Sequence, residues 1–257
     1  MMKKLFVFML AAAALFSCTK PQPHLTADES MQKGLAYFQK KNYDEAIPMF
    51  ENSIMEAESP DMAAKAQLFL ADSYFMGKRY PEAIPAYQQY LDVYSTSEDA
   101  NTAMLRLGLS HYALIDKVDR DMSAAEGALK SFSALREKDP AFAKEYDLTK
   151  KIVDLRNMLA ERELYVGKFY IRIGEPQAGI KRLDYIIERY KDTNAYEDSL
   201  YEYGMYYAAQ DGKETEALRY FNLLLKEKPD TKYAKDVAKQ LMVLLDKVQK
   251  RLDKKGA

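Results

Sequence analysis

The sequence predicts an all-α fold: a right-handed α-solenoid of about five helix-turn-helix repeats plus a C-terminal capping helix. Three observations carry this prediction. The stretches Asn42-Tyr43-Asp44-Glu45-Ala46-Ile47-Pro48-Met49-Phe50 and Arg79-Tyr80-Pro81-Glu82-Ala83-Ile84-Pro85-Ala86-Tyr87 share one pattern 37 residues apart, and self-similarity at such a period marks a stacked array. Twenty tyrosines, 11 phenylalanines and only 10 glycines in 257 residues suit helices packed with aromatics and disfavour a turn-rich β chain. From Asp236 to Leu252, Val237, Leu241, Leu244, Leu245, Val248 and Leu252 fall on one stripe, as expected of a helix that closes an open end.

In chain order, residues 1–17 read as a leader. Lys3 and Lys4 precede an apolar run from Leu5 to Leu15, and the polar TKPQPHLTADES follows soon after. A spanning helix needs roughly 20 apolar residues, so this shorter run reads as a cleaved secretory signal. Leu15-Phe16-Ser17-Cys18 ends on the only cysteine of the chain and resembles a bacterial lipobox. The resemblance implies S-diacylglycerol and N-acyl chains on Cys18, with residues 18–25 as lipidated N-terminus and linker. Thr19, where an acidic residue would favour retention at the inner membrane, points to the periplasmic face of the outer membrane. A single acyl chain holds a membrane weakly, and the two or three implied here would anchor it stably. The alternative is an unused cysteine in a discarded leader.

Residues 26–95 form an N-terminal pair of repeats. In each, an alanine precedes an aromatic by four positions, Ala46 before Phe50 and Ala83 before Tyr87. A neighbouring helix can approach at the alanine while the ring fills the groove beside it. A helix upstream carries its own small-then-aromatic pair, Gly34 with Tyr37 and Ala71 with Tyr74. Thr26 with Glu29 has capping-box spacing, and Pro48 and Pro85 stand about one turn inside their helices, at the cost of one backbone bond each.

Residues 96–140 form a third repeat, with Gly108 and His111 on the first helix, Ala128 and Phe132 on the second, and an inter-helix insertion at ALIDKVDRDMS. Ser123 with Glu126 has capping-box spacing. Residues 141–257 hold the C-terminal repeats and the capping helix. The run from Ala141 to Ile173, without proline, reads as one extended helix. Gly167 with Tyr170, Gly179 with Leu183, Gly204 with Tyr207 and Ala217 with Phe221 continue the register, and Asn194 with Glu197 marks another start. Pro140 and Pro229 stop helices eight residues after Phe132 and Phe221.

The five copies resemble the tetratricopeptide repeat. A narrower resemblance lies in Val118-Asp119-Arg120-Asp121, the following AAEGALKSFSAL, the helix from Leu155 to Tyr170, and Glu188-Arg189-Tyr190-Lys191-Asp192-Thr193. Together they are similar to the BamD family, five-repeat lipoproteins of the outer-membrane β-barrel assembly machinery. Lys191 stands where that family usually has proline. The resemblance implies a scaffold without a chemical step. Its C-terminal half would hold a BamA-type barrel protein, Arg182 pairing with it, alongside accessory lipoproteins, while its N-terminal repeats receive unfolded outer-membrane protein precursors. The alternative for Arg182 is an exposed helix charge worth under ~1 kcal/mol. The alternative function is another periplasmic repeat lipoprotein, such as a type IV pilus secretin pilot or an envelope-division coordinator.

The residues make their own case for the N-terminal site. If Gly34 and Ala71 face a partner helix, then Leu35, Phe38, Asp72 and Phe75 turn to the concave side, flanked by Met31, Gln39, Leu68 and Met76. Such a groove would take an extended peptide with alternate apolar side chains, and methionine repacks around differing ligands. The alternative is that these residues meet a neighbouring repeat.

Composition excludes other classes. The formal charge is −1, falling to −3 once Lys3 and Lys4 leave with the leader, so no nucleic-acid partner is expected. There are two histidines, His24 in PQPHL and His111 in place of the repeat's aromatic; these read as a linker residue and a packed ring. No thiolate nucleophile, zinc cluster or glycine-rich phosphate loop is present, and Arg120 between Asp119 and Asp121 favours a salt-linked turn over a metal site. Neither enzyme activity nor a metal nor a cofactor beyond the lipid is expected. Lys247, Lys250, Arg251, Lys254 and Lys255 answer the negative end of the last helix; the alternative is contact with anionic lipid, which the intermixed Asp246 and Asp253 weaken.

Overall fold

A computed structural model describes residues 25–115 and 121–256. The leader, Cys18, His24 and the insertion residues Val118, Asp119 and Arg120 lie outside the described residues. Among the described residues there are twelve helices and no strand. They divide into two compact units, one ending at Gly77 and the other starting at Lys78.

The first unit holds α1 (Ala27–Gln39), α2 (Tyr43–Met55) and α3 (Pro60–Met76), each packed on the next. The expected capping box opens α1: Thr26 Oγ1 accepts the Glu29 N–H, and Glu29 accepts the Thr26 N–H. The backbone bond and hydroxyl of Thr26 hold the Glu29 carboxyl below its usual range. Pro60 opens α3, where Ser59 Oγ accepts from the Met62 N–H. The centre of the unit is a notch and a ring. A Cβ on Gly34 would lie 2.6 Å from Phe50 Cε1, so only glycine lets α1 come this close to the buried ring. Phe50 stacks on Phe69 at 5.5 Å, and Phe38 meets Phe69 and Tyr43 edge-on at 5.6 and 5.3 Å.

The second unit begins with α4 (Tyr80–Tyr94), α5 (Ala100–Ala113), α6 (Ser123–Lys138) and α7 (Pro140–Glu145). It continues through α8 (Leu148–Arg172), α9 (Pro176–Arg189), α10 (Asn194–Ala208), α11 (Glu214–Glu227) and α12 (Ala234–Gly256). Neighbours pack in sequence, with α6 also against α8. The notch recurs: a Cβ on Gly108 would stand 2.4 Å from Phe132 Cε1, and one on Gly204 2.3 Å from Phe221 Cε1. His111 packs where the ring was expected, against Gly127, and burial lowers its pKa.

Four expectations need correction. The run 141–173 is two helices. Asp139 caps α7 by accepting the Phe142 N–H, and the chain breaks at Asp147, which takes the left-handed conformation at φ 52°. A short polar side chain tolerates that geometry, so the break needs neither glycine nor proline. Ser123 is the first residue of α6 rather than its cap; its N–H and hydroxyl both donate to Asp121. Asn194 likewise lies inside α10, and Glu197, freed from capping, accepts from Thr231 Oγ1 at 2.6 Å. The stripe on α12 also divides. Val237 and Leu244 are buried with Tyr196, Leu200, Phe221 and Leu224, whereas Leu245 and Leu252 face outward.

Candidate functional site

The residues expected to form a groove all lie in the first unit, at different depths. Met31 and Leu35, one turn apart on α1, are half-buried, and Gln39 beyond them is exposed. On α3, Met76 is 46% exposed and Phe75 half-buried. Leu68 and Asp72 are buried and present little surface. The ring of Phe38 is committed on two sides to Tyr43 and Phe69. The exposed part of the set is therefore Met31, Leu35, Gln39, Phe75 and Met76, two short apolar steps on α1 and α3 with polar Gln39 at the edge. Each helix offers one methionine, Met31 on α1 and Met76 on α3, the flexible side chain that adaptable apolar recognition uses.

Arg182 sits in the second unit, in the first half of α9. Its Nη1 donates to both carboxylate oxygens of Glu163 on α8, at 3.2 and 2.9 Å, and its side chain is 48% exposed. Sequence reasoning missed this partner because nothing local marks an ion pair between residues 19 apart. Half-exposed and using one nitrogen, the guanidinium keeps further donors for a second carboxylate. Beside it opens a pocket of about 570 Å³ lined by Tyr170, Gln177, Lys181 and Tyr185. The next turn of chain is fastened by a stronger clamp: Arg156 Nε and Nη2 donate to Asp192 at 2.7 and 2.5 Å, Nη2 also to the Arg189 carbonyl at 2.6 Å, and the guanidinium lies 5.0 Å from the Tyr190 ring. Arg156 holds the Asp192 carboxyl below its usual range, and burial pushes the Tyr190 phenol up to about 12.

Tyrosine hydroxyls donating to carboxylates tie the last helices together, a device with no periodic mark in the sequence. Tyr203 donates to Asp184, Tyr196 to Glu227, Tyr201 to Asp236 and Tyr233 to Asp198. Each joins different helices or an adjoining loop, and burial raises the pKa of all four phenols. They are structural bonds, since each phenol is fixed to its own acid. Among the described residues no group of three or more histidines, cysteines, aspartates and glutamates is placed to hold a metal ion, and no helix is long and apolar enough to cross a membrane.

Paired helices, with an open apolar step in the first unit and a half-exposed arginine in the second, make this an all-helical repeat protein. The family model YfiO, described as outer membrane lipoprotein, matches residues 23–214, and this chain belongs to that family. It is 27% identical over 201 residues to outer membrane protein assembly factor BamD of Rickettsia prowazekii, covering 78% of this chain and 80% of that one. The BamD of Neisseria meningitidis serogroup A is 26% identical over 220 residues, covering 77% and 82%. The crystal structure of TTC0263, a thermophilic tetratricopeptide protein of Thermus thermophilus, aligns over 86% of this chain and 99% of that one at 16% identity, with a TM-score of 0.37; so loose a superposition adds nothing to the family match.

Proposed function

We propose that this protein is a lipid-anchored periplasmic scaffold of the outer-membrane β-barrel assembly machinery. Its acylated Cys18 would hold it at the outer membrane. Its second unit would hold a BamA-type barrel protein through Arg182, and the open residues of its first unit would receive unfolded outer-membrane protein precursors. The observation that carries the role is the family match across both units, to relatives named as assembly factors. The depth of the residues refines the groove. Leu35, Phe75 and Met76 have surface to give, while Leu68 and Asp72 shape the helix beneath them. For Arg182, a carboxylate on the partner would join or displace Glu163, a charge-assisted exchange costing little at a half-exposed site.

The test is paired. Leu35→Asp with Met76→Asp should weaken capture of a precursor peptide at least about tenfold while membrane purification still recovers the large barrel protein. Arg182→Glu should do the reverse, because it turns a neutral pair with Glu163 into like charges. Unchanged peptide capture in the first variant removes the groove assignment. Unchanged recovery of the barrel protein with Arg182→Glu removes the contact, and recovery of a secretin in place of a barrel-assembly protein overturns the role itself.

A further inference from the structure

The last helix leaves one face open. Val237 and Leu244 of α12 are buried against the unit, and Arg251 pairs bidentately with Glu214 at 2.7 Å. Beside that face Ala238, Leu241, Leu245, Val248 and Leu252 follow one another at spacings of three and four, the a/d seam of a coiled coil. Leu241 and Val248 are half-buried, whereas Leu245 is 57% exposed, Leu252 59%, and neighbouring Met242 72%. A surface helix normally turns its polar side outward. Five seam positions in unbroken 3-4 spacing call for another helix.

We propose that this seam pairs with α12 of a second copy of the chain, antiparallel, about a two-fold axis at Leu245. Two features select that occupant. Leu245 lies at the middle of the seam: in an antiparallel pair Leu245 meets Leu245, Leu241 meets Val248, and small Ala238 meets Leu252, so each end of the pair sets its small residue against a large one. The charges on the open flank are self-complementary as well. Exposed Lys235 lies near one end and exposed Asp253 near the other; antiparallel pairing sets each against its opposite, whereas parallel pairing sets like against like. Asp246, between them, is paired with Lys250 of its own helix at 2.8 Å, which leaves Lys235 and Asp253 as the charges that orient the two copies. One helix pair buries less than a standard interface, so association in free solution is weak. Copies confined to one membrane surface would meet far more often. The pairing itself stands apart from the scaffold reading above; its enhancement at a membrane rests on the lipid anchor proposed there.

The experiment uses the full chain in detergent. Under mild oxidation Leu245→Cys should form a covalent dimer, and Val243→Cys, on the opposite side of α12, should behave as the parent chain does. In sedimentation equilibrium Leu245→Asp should raise the dimer dissociation constant at least about tenfold without unfolding, since the side chain is already exposed. Lys235→Glu and Asp253→Lys should each weaken the dimer about two- to threefold, and together restore it. A single monomer mass at every concentration up to about 1 mM, equal cross-linking at 243 and 245, or failure of the charge swap to restore pairing would each overturn the proposal. So would a foreign helix found on the seam without self-association.

Discussion

Where α10 meets α11, the ring of Phe221 lies in the notch left by Gly204, and the same device joins α1 to α2 and α5 to α6. Where α8 meets α9 there is no ring. Leu183 takes its place, and two glycines face each other, so that a Cβ on Gly179 would stand 2.6 Å from the carbonyl oxygen of Gly167. The first arrangement gains from burying a large side chain; the second gains from backbone proximity and is held in register by polar clamps, Arg182 on Glu163 and Arg156 on Asp192. The lesson is that the same repeat position is closed either by a large ring or by closer backbones, and the two solutions fail differently when a methyl is added.

The largest expected effect separates them. Gly179→Ala sets a methyl against backbone, and against Ile171 Cγ1 at 2.6 Å, so the helices must part. A net loss of about 2–3 kcal/mol is expected in urea unfolding, overpacking outweighing the better helix propensity of alanine. Gly204→Ala meets a side chain instead, 2.3 Å from Phe221 Cε1, and should cost about 2 kcal/mol. Adding Phe221→Leu should recover about 1 kcal/mol of the sum in a double-mutant cycle. Adding Leu183→Ala to Gly179→Ala should recover nothing, because backbone blocks the way. Equal rescue at both sites would erase the distinction.

The clamps give the next effect. Asp192 is held below its usual pKa of 3.8, first by its bond to Arg156. A lowered native pKa means that the unfolded chain takes the proton first, so the clamp's contribution is complete above the unfolded value and is lost as pH falls through the native one. Arg156→Met should therefore cost about 1–2 kcal/mol at neutral pH, the exposed side of Asp192 keeping the figure modest. The gap between variant and parent should narrow below about pH 3.5 to what remains of the Tyr190 contact. A gap unchanged from pH 7 to about pH 2.5 would show that Arg156 acts by packing alone.

How far the sequence could be read follows the same division. Small residues spaced with a ring or, once, a leucine made the helix pairs within each unit legible, because burying a bulky side chain beside a notch leaves a local pattern. The actual match, Gly34 to Phe50 or Gly204 to Phe221, lies across the pair and was hidden behind the nearer Tyr37 and Tyr207. The break at Asp147 left no clear trace, since aspartate, unlike proline, does not by itself end a helix, and only its φ reveals the turn. In the groove set, Leu68 and Asp72 followed from helical periodicity, which gives a direction but not a depth; the neighbouring helices that bury them are set by tertiary packing. Glu163 beneath Arg182 was equally illegible, because an ion pair between helices leaves no periodic mark.

The smallest effect tests whether the paired helices are joined alike even where their interiors differ. The residue that turns the chain from one helix to the next is left-handed at four connections: Lys41 at φ 62°, Lys78 at 60°, Gly174 at 88° and Gly212 at 83°. Lysine there carries steric strain of roughly 1–2 kcal/mol, and glycine removes it while making the unfolded chain freer by about 0.5–1 kcal/mol. Lys41→Gly should then stabilise by about 0.5 kcal/mol. Gly174→Ala, whose new methyl would meet no atom within 4 Å, should destabilise by a similar amount for conformational reasons alone. Thermal unfolding resolves both signs. If Lys41→Gly lowers the midpoint, the lysine earns its place through a contact of its side chain, and the N-terminal and C-terminal turns are then different structures sharing one backbone angle.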